Sequence, residues 1–207
     1  MNKTAAHALA LAGGLAFAMS SFGAAAESIY AGVSLGQADV SDFCDDLSGV
    51  SCDDTPFTGR IYAGGFFDTY LAFEGGYRYV DKATVEATVA GFGSASIDSS
   101  YHMFDGSVVA FTPAVGPMRL FLKVGAQVWR QELDVSLSTV ALSGSASESE
   151  NGISLRTGVG ARFDLTDRFS IRVEYDYLQD VGDDFGLGAQ NLESDMHIFS
   201  AGPEIRF

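Results

Sequence analysis

The 207-residue chain carries 27 Asp and Glu against 12 Lys and Arg, a formal charge of −15. That balance excludes nucleic acid as a partner, because neutralising phosphates takes clustered basic side chains. Beyond the N-terminal region no run of roughly eighteen apolar residues occurs, so helical membrane spans are excluded and any crossing must use strands.

In chain order, Met1 to Ala26 places Lys3 before an apolar run from Ala8 to Met19 and then Ala24-Ala25-Ala26. This is the pattern of a secretory signal with a small-residue cleavage site, so residues 1–26 are predicted to be removed and 27–207 to form one domain. Loss of Lys3 moves the formal charge to −15 − 1 = −16. The first strand is predicted over Ser28 to Gln37, with Ile29, Ala31, Val33 and Leu35 on one face and Gly32, Ser34 and Gly36 on the other. An acidic connection follows to Thr58 and holds both cysteines, Cys44 and Cys52. In an exported chain the default is that they pair as a disulfide. Zinc would need two further ligands, and no mature histidine lies near them.

Strand two, Gly59 to Phe67, turns at Asp68-Thr69 into strand three, Leu71 to Val80. Asp81 to Ser99 forms a second long connection, in which VEATVAGF is a candidate extension of the flanking strands. Strand four, Tyr101 to Thr112, has ambiguous parity and breaks at Pro113 to Pro117. Strand five, Met118 to Arg130, sets Leu120, Leu122, Val124, Ala126 and Val128 against Phe121, Lys123, Gly125 and Gln127. A serine-rich third connection, Gln131 to Asn151, is also a candidate to begin and end as strand, and it leads to the hairpin ISLRTGVGARFDLTDRFSIRVEYDYL, Ile153 to Leu178. One face of this hairpin is apolar; the other alternates glycine with Arg156, Arg162, Arg172, Glu174 and Asp176. Bare glycines on a solvated face would only weaken a strand, whereas in a crowded interior they leave room for long paired side chains. A fourth connection, Gln179 to Ser194, precedes the last strand.

Eight strands result, with long and short connections in alternation. The prediction is an all-β, eight-stranded antiparallel up-and-down transmembrane barrel, its termini and short turns periplasmic and its long loops extracellular. Two features favour a membrane barrel over a soluble one. Arg60, Arg78, Lys123, Arg156, Arg162, Arg172 and Arg206 all take the non-apolar parity, leaving only Lys82, Arg119, Arg130 and Arg168 elsewhere in the mature chain. Aromatics also gather near strand ends, at Phe66, Phe67, Tyr70, Tyr77, Tyr79, Trp129, Phe169, Tyr175 and Tyr177, where an interfacial girdle is expected.

The barrel interior then receives Glu74, Arg78, Lys123, Arg162, Arg172, Glu174 and Glu204, which fill it as a mutually compensated ion-pair network. A gated path for small ions through the same residues is the alternative. A lipid A-modifying enzyme needs a Ser-His-acid site, and only Asp98, Ser100 and His102 share a strand face. Same-face neighbours lie about 6 to 7 Å apart, too far for a direct Ser-to-His hydrogen bond without a bulge. The acidic loops match no calcium-loop spacing, so no metal or cofactor is implied; weak divalent bridging to lipopolysaccharide phosphates is their functional reading.

The final HIFSAGPEIRF, with Phe199, Ile205 and Phe207 on one face, resembles the C-terminal strand that outer-membrane proteins present to the barrel assembly machinery. Together with RVEYDYL, LAFEGGYRYV and LFLKVGAQVWR, it makes Ser28 to Phe207 resemble the transmembrane domain of the outer-membrane protein A family and its small relatives. That resemblance implies that Glu74 pairs with Arg172 inside the barrel. With nothing after Phe207, it does not imply the family's peptidoglycan-binding domain. The expectation is a monomeric, non-catalytic outer-membrane protein with a structural or surface-interaction role. Its expected partners are outer-membrane lipid, lipopolysaccharide and an extracellular ligand of the loops.

Overall fold

The computed structural model describes residues 28–41, 51–89, 93–139, 143–182 and 194–207. The expected signal segment and Cys44 lie outside the described residues. The strands are β1 (Ser28–Val40), β2 (Ser51–Asp53), β3 (Phe57–Phe66), β4 (Leu71–Val89), β5 (Gly93–Phe111), β6 (Met118–Thr139), β7 (Ser143–Asp164), β8 (Phe169–Val181) and β9 (Ser194–Arg206). Eight of them close an antiparallel barrel in which β1 pairs with both β3 and β9, and β4 pairs with β5. The short β2 adds only to the far end of β4, through Ser51 to Asp53 against Glu86 to Thr84.

Period-2 alternation assigns each side chain to the wall's outside or to its lumen, and the outcome is the reverse of a water-soluble core. Leu35, Leu122, Val124, Val128, Leu155 and Phe199 are exposed, while Arg60, Glu74, Arg78, Lys123, Arg156, Arg162 and Arg172 are buried. Hydrocarbon is the solvent that makes this pattern stable, since every backbone group is satisfied in the closed ladder and the apolar faces meet lipid.

The second and third long connections are largely strand. β4 and β5 stay paired from Leu71↔Ala110 to Val89↔Gly93, and β6 and β7 from Met118↔Phe163 to Ser138↔Ser143. They rise past the end of the pairing between β7 and β8, whose ladder reaches only Arg156↔Leu178. The reason is legible in the alternation, but its polarity is inverted there. On the parity that continues the lumen-facing row stand Val85, Ile97, Leu133 and Val135, and on the outward parity stand Glu86, Ser96, Asp98, Asp134, Ser136 and Ser145. A wall that turns a polar outside above an apolar outside has left lipid for water. In this protruding part the Lys82 ammonium hydrogen-bonds Asp98 at 3.3 Å, which raises its pKa above the ordinary lysine value.

Inside the barrel, two apolar clusters lie at opposite ends. Tyr30, Tyr62, Phe66, Ala72, Val109, Phe111 and Phe121 pack at the end that carries the short turns. Ala38, Val40, Val80, Tyr101, Met103, Trp129, Leu178, Val181, Met196 and Ile198 pack at the loop end. Two of the expected girdle aromatics, Phe66 and Trp129, therefore belong to the interior, at 6 % and 5 % exposure. Their strand-end position suggested the girdle, but parity decides the face: Trp129 shares the lumen row of Lys123 and Gln127. Gly152 opposite it leaves the space its indole fills, because a Cβ there would meet the ring.

Candidate functional site: the charged lumen

Between the two apolar clusters lies a layer of buried charge. Six cations, Arg60, Arg78, Lys123, Arg156, Arg162 and Arg172, face five carboxylates, Glu74, Asp105, Glu174, Asp176 and Glu204. Each is held at a fixed height by the strand ladder, and each long side chain crosses the lumen. Arg172 Nη1 lies 2.6 Å from Glu74 Oε2, and its Nη2 lies 2.8 Å from Glu174 Oε2. Glu74 also accepts from Arg60 Nη1 at 2.9 Å and from the Tyr30 hydroxyl at 3.0 Å. Lys123 Nζ sits 2.5 Å from Glu174 and 2.7 Å from Asp176. Asp176 is also bound by Arg78 at 2.6 Å and by Arg156 at 2.7 Å. Asp105 takes Arg60 and Arg156, each at 2.5 Å. Glu204 is met by Arg172 at 3.4 Å, Arg162 at 3.5 Å and the Tyr62 hydroxyl at 3.3 Å.

The seven lumen residues named from sequence are thus brought into one network, together with Arg60, Asp105, Arg156 and Asp176. Arg60, Arg156 and Asp176 carried the signal of polar parity. Asp105 did not, because β5 places apolar residues on both faces: Met103, Val109 and Phe111 inward, Phe104 and Val108 outward. The available clue was charge balance, since an interior with so many arginines needs every carboxylate within reach. Gly158 makes this layer possible, as a Cβ there would run into the Lys123 side chain and the Asp176 carboxylate.

β4 and β8 stand four strands apart either way around the ring, so they face each other across the lumen. The pairs Glu74 with Arg172 and Arg78 with Asp176 each join residues 98 apart in sequence. At that offset LAFEGGYRYV in β4 aligns with FSIRVEYDYL in β8. The Tyr-x-Tyr is kept and the lumen charges are inverted. On the outer surface the likeness continues: the Tyr77 hydroxyl is hydrogen-bonded to His102 Nδ1 at 2.7 Å, and the Tyr175 hydroxyl to His197 Nδ1 at 2.6 Å.

The candidate triad does not assemble. His102 Nδ1 is engaged by Tyr77 rather than Ser100, while Asp98 accepts from the Thr84 hydroxyl at 2.9 Å and from Lys82. Among the described residues no group of three His, Cys, Asp or Glu side chains is placed to hold a metal ion. Of the C-terminal residues, Phe199 and Phe207 are exposed on the lipid side, at 62 % and 75 %, and Ile205 is half-buried. Cys52 lies in β2.

Solved structures share this architecture. Neisserial surface protein A is 16 % identical with a TM-score of 0.58, covering 86 % of this chain and 97 % of that one. The attachment invasion locus protein of Yersinia pestis, in complex with the heparin analogue sucrose octasulfate, is 17 % identical with a TM-score of 0.50, covering 87 % and 97 %. At these identities the likeness shows the fold. A comparison with curated proteins finds no match. The family description "OmpA-like transmembrane domain" matches residues 24–207. Closed barrel, inverted polarity and this match agree, and the chain belongs to the OmpA-like transmembrane domain family of outer-membrane β-barrels.

Proposed function

We propose that the protein is a non-catalytic, non-conducting outer-membrane barrel whose working part is the protruding sheet at its loop end. The observation that carries this reading is the stacking of the lumen: a fully buried ion-pair layer between two apolar clusters, with Arg60, Glu74, Lys123 and Asp176 at 2 % exposure or less. Glu74, Glu174 and Asp176, each bound to cations at 2.5 to 2.9 Å, leave a passing cation no free carboxylate among the described residues of this layer. A pore through this layer would require several of these contacts to break together. Steady single-channel openings in planar bilayers, lost on Glu74→Ala or Arg172→Ala, would overturn the plug; the expected trace is flat.

The loop end supplies surface instead of passage. β4 to β7 present a tall wall with Asp81, Glu86, Asp98, Glu132, Asp134, Glu148 and Glu150 against Lys82 and Arg130. Such a surface favours cationic partners or divalent ions shared with lipopolysaccharide phosphates. This distinguishes it from the Yersinia protein whose structure holds a polyanionic heparin analogue. In this reading the short turns and both chain ends face the periplasm, the chain works as a monomer, and its C-terminal strand, through Phe199, Ile205 and Phe207, is what the assembly machinery engages. The pairing of Cys44 with Cys52 belongs to the same proposal, and Cys52 is not a free thiol.

A further inference from the structure

The buried layer's six cations face five carboxylates, and at the turn end Arg119 and Arg206 add two more cations against Asp164, which pairs with both Arg162 and Arg206. Arg119 in β6 stands directly opposite Arg162 in β7, and Arg162 stands directly opposite Arg172 in β8. All three take the inward parity, Arg119 included against expectation, because it stands in the β6 row of the buried Phe121 and Lys123. Like charges in directly opposed positions destabilise a sheet unless something neutralises them. Arg172 is neutralised by Glu74 and Glu174. Arg162 is fully buried; its Nε lies 3.1 Å from Asp164 Oδ1 in an ion pair outside hydrogen-bonding geometry, its Nη1 lies 3.5 Å from Glu204, and its Nη2 has no hydrogen-bond partner among the described residues. Arg206 Nη2 donates to Asp164 at 3.4 Å, while the Nε atoms of Arg119 and Arg206 are buried without such a partner.

These three arginines line one cavity of about 150 Å³, together with Ser28, Phe66, Asp68 and Thr69. Among the described lining residues the one carboxylate, Asp68, already accepts from the Tyr70 amide at 3.2 Å in the turn between β3 and β4. The other polar side chains of the described lining are three guanidinium forks, which only donate, and two hydroxyls, which can donate. Planar forks of fixed donors match the oxygens of a tetrahedral oxyanion, and buried unpaired donors are costly until one arrives. We propose that this turn-end cavity binds a phosphate group, supplied either as free phosphate or as the headgroup of a phospholipid in the adjoining leaflet.

The test has two arms. In neutral-detergent micelles, inorganic phosphate is titrated calorimetrically against the whole protein at constant ionic strength, with chloride as control. In nanodiscs of zwitterionic lipid, with and without phosphatidic acid, native mass spectrometry reads retained lipid. Saturable binding in the first arm identifies the solute and retention confined to the second identifies the headgroup; either outcome supports phosphate recognition. Arg119→Gln and Arg206→Gln, each on the rim, should weaken binding about tenfold, the scale of one lost charge-assisted hydrogen bond. Arg119→Lys should recover part of it, and circular dichroism checks that each variant keeps its strands. Absence of saturable binding in both arms, or equal binding by wild type and the Arg119→Gln/Arg206→Gln double variant, would overturn the proposal.

Discussion

Glu74 ties three lumen groups together, since it serves Arg60, Arg172 and the Tyr30 hydroxyl at once. Removing it leaves two buried guanidinium groups short of a counter-charge, and breaking a buried pair typically costs about 3 to 5 kcal/mol. Urea unfolding from lipid vesicles should show a loss on that scale for Glu74→Ala. The charge swap Glu74→Arg with Arg172→Glu should recover only part of it, because the new Arg meets Arg60 and the new Glu meets Glu174 and Glu204. Full recovery would mean that the two residues form an isolated pair. At the loop end a different residue-scale constraint operates. Trp129 is the chain's one tryptophan and occupies space that Gly152 leaves open. Gly152→Leu should expel the indole from its apolar cluster, with an overpacking cost of about 1 to 3 kcal/mol. A red shift of the fluorescence emission checks this; an unchanged spectrum would place the ring elsewhere.

At the scale of elements, β2 is the piece that ties the first connection to the protruding sheet. It is only three residues long, and two such strands alone are marginal. Cys52 sits in its middle, opposite Val85 of β4. A disulfide to Cys44 would close a short loop and restrain this strand by roughly 2 to 3 kcal/mol. Reduction, or Cys52→Ser, should therefore speed amide exchange at Ser51 to Asp53 and at Thr84 to Glu86, while the lumen strands keep their protection. Free thiols in protein extracted without reductant would defeat the pairing. The opposed strands β4 and β8 teach a related lesson. Their shared pattern fixes equal heights for Glu74 and Arg172 and for Arg78 and Asp176. Complementary charge at equal height is what turns two distant segments into cross-lumen partners.

For the whole molecule, the inversion of polarity along β4 to β7 marks where hydrocarbon ends. Val124 is 55 % exposed on the lipid face, while Ser136 shares its strand and lies twelve residues further on, on the outward parity of the protruding part. Val124→Arg should cost about 2 to 4 kcal/mol if it lies near the midplane of the bilayer. Ser136→Arg should change stability by less than about 0.5 kcal/mol, as surface substitutions usually do. Comparable losses for both, measured in the same vesicle assay, would move the membrane boundary up into the protruding sheet.

Sequence by itself determined the barrel. Strict alternation, the gathering of most arginines on one parity and the order of long and short connections are local features. They survive any detail of packing because a strand can only point successive side chains to opposite sides. They also placed Glu74, Lys123, Arg162, Arg172, Glu174 and Glu204 on the interior face before any contact was known. Tertiary structure decided the rest. It assigned Asp105 to the lumen where parity was ambiguous, and it drew Phe66 and Trp129 inward. It settled how far the second and third connections continue as strand, because an alternation with reversed polarity looks like a loop until the solvent on each side is known. It also gathered Arg119, Arg162 and Arg206 around one cavity, which no spacing along the chain reveals. Arg119 and Arg162 are opposed in the ladder of β6 and β7, and Arg206 reaches the same cavity from β9.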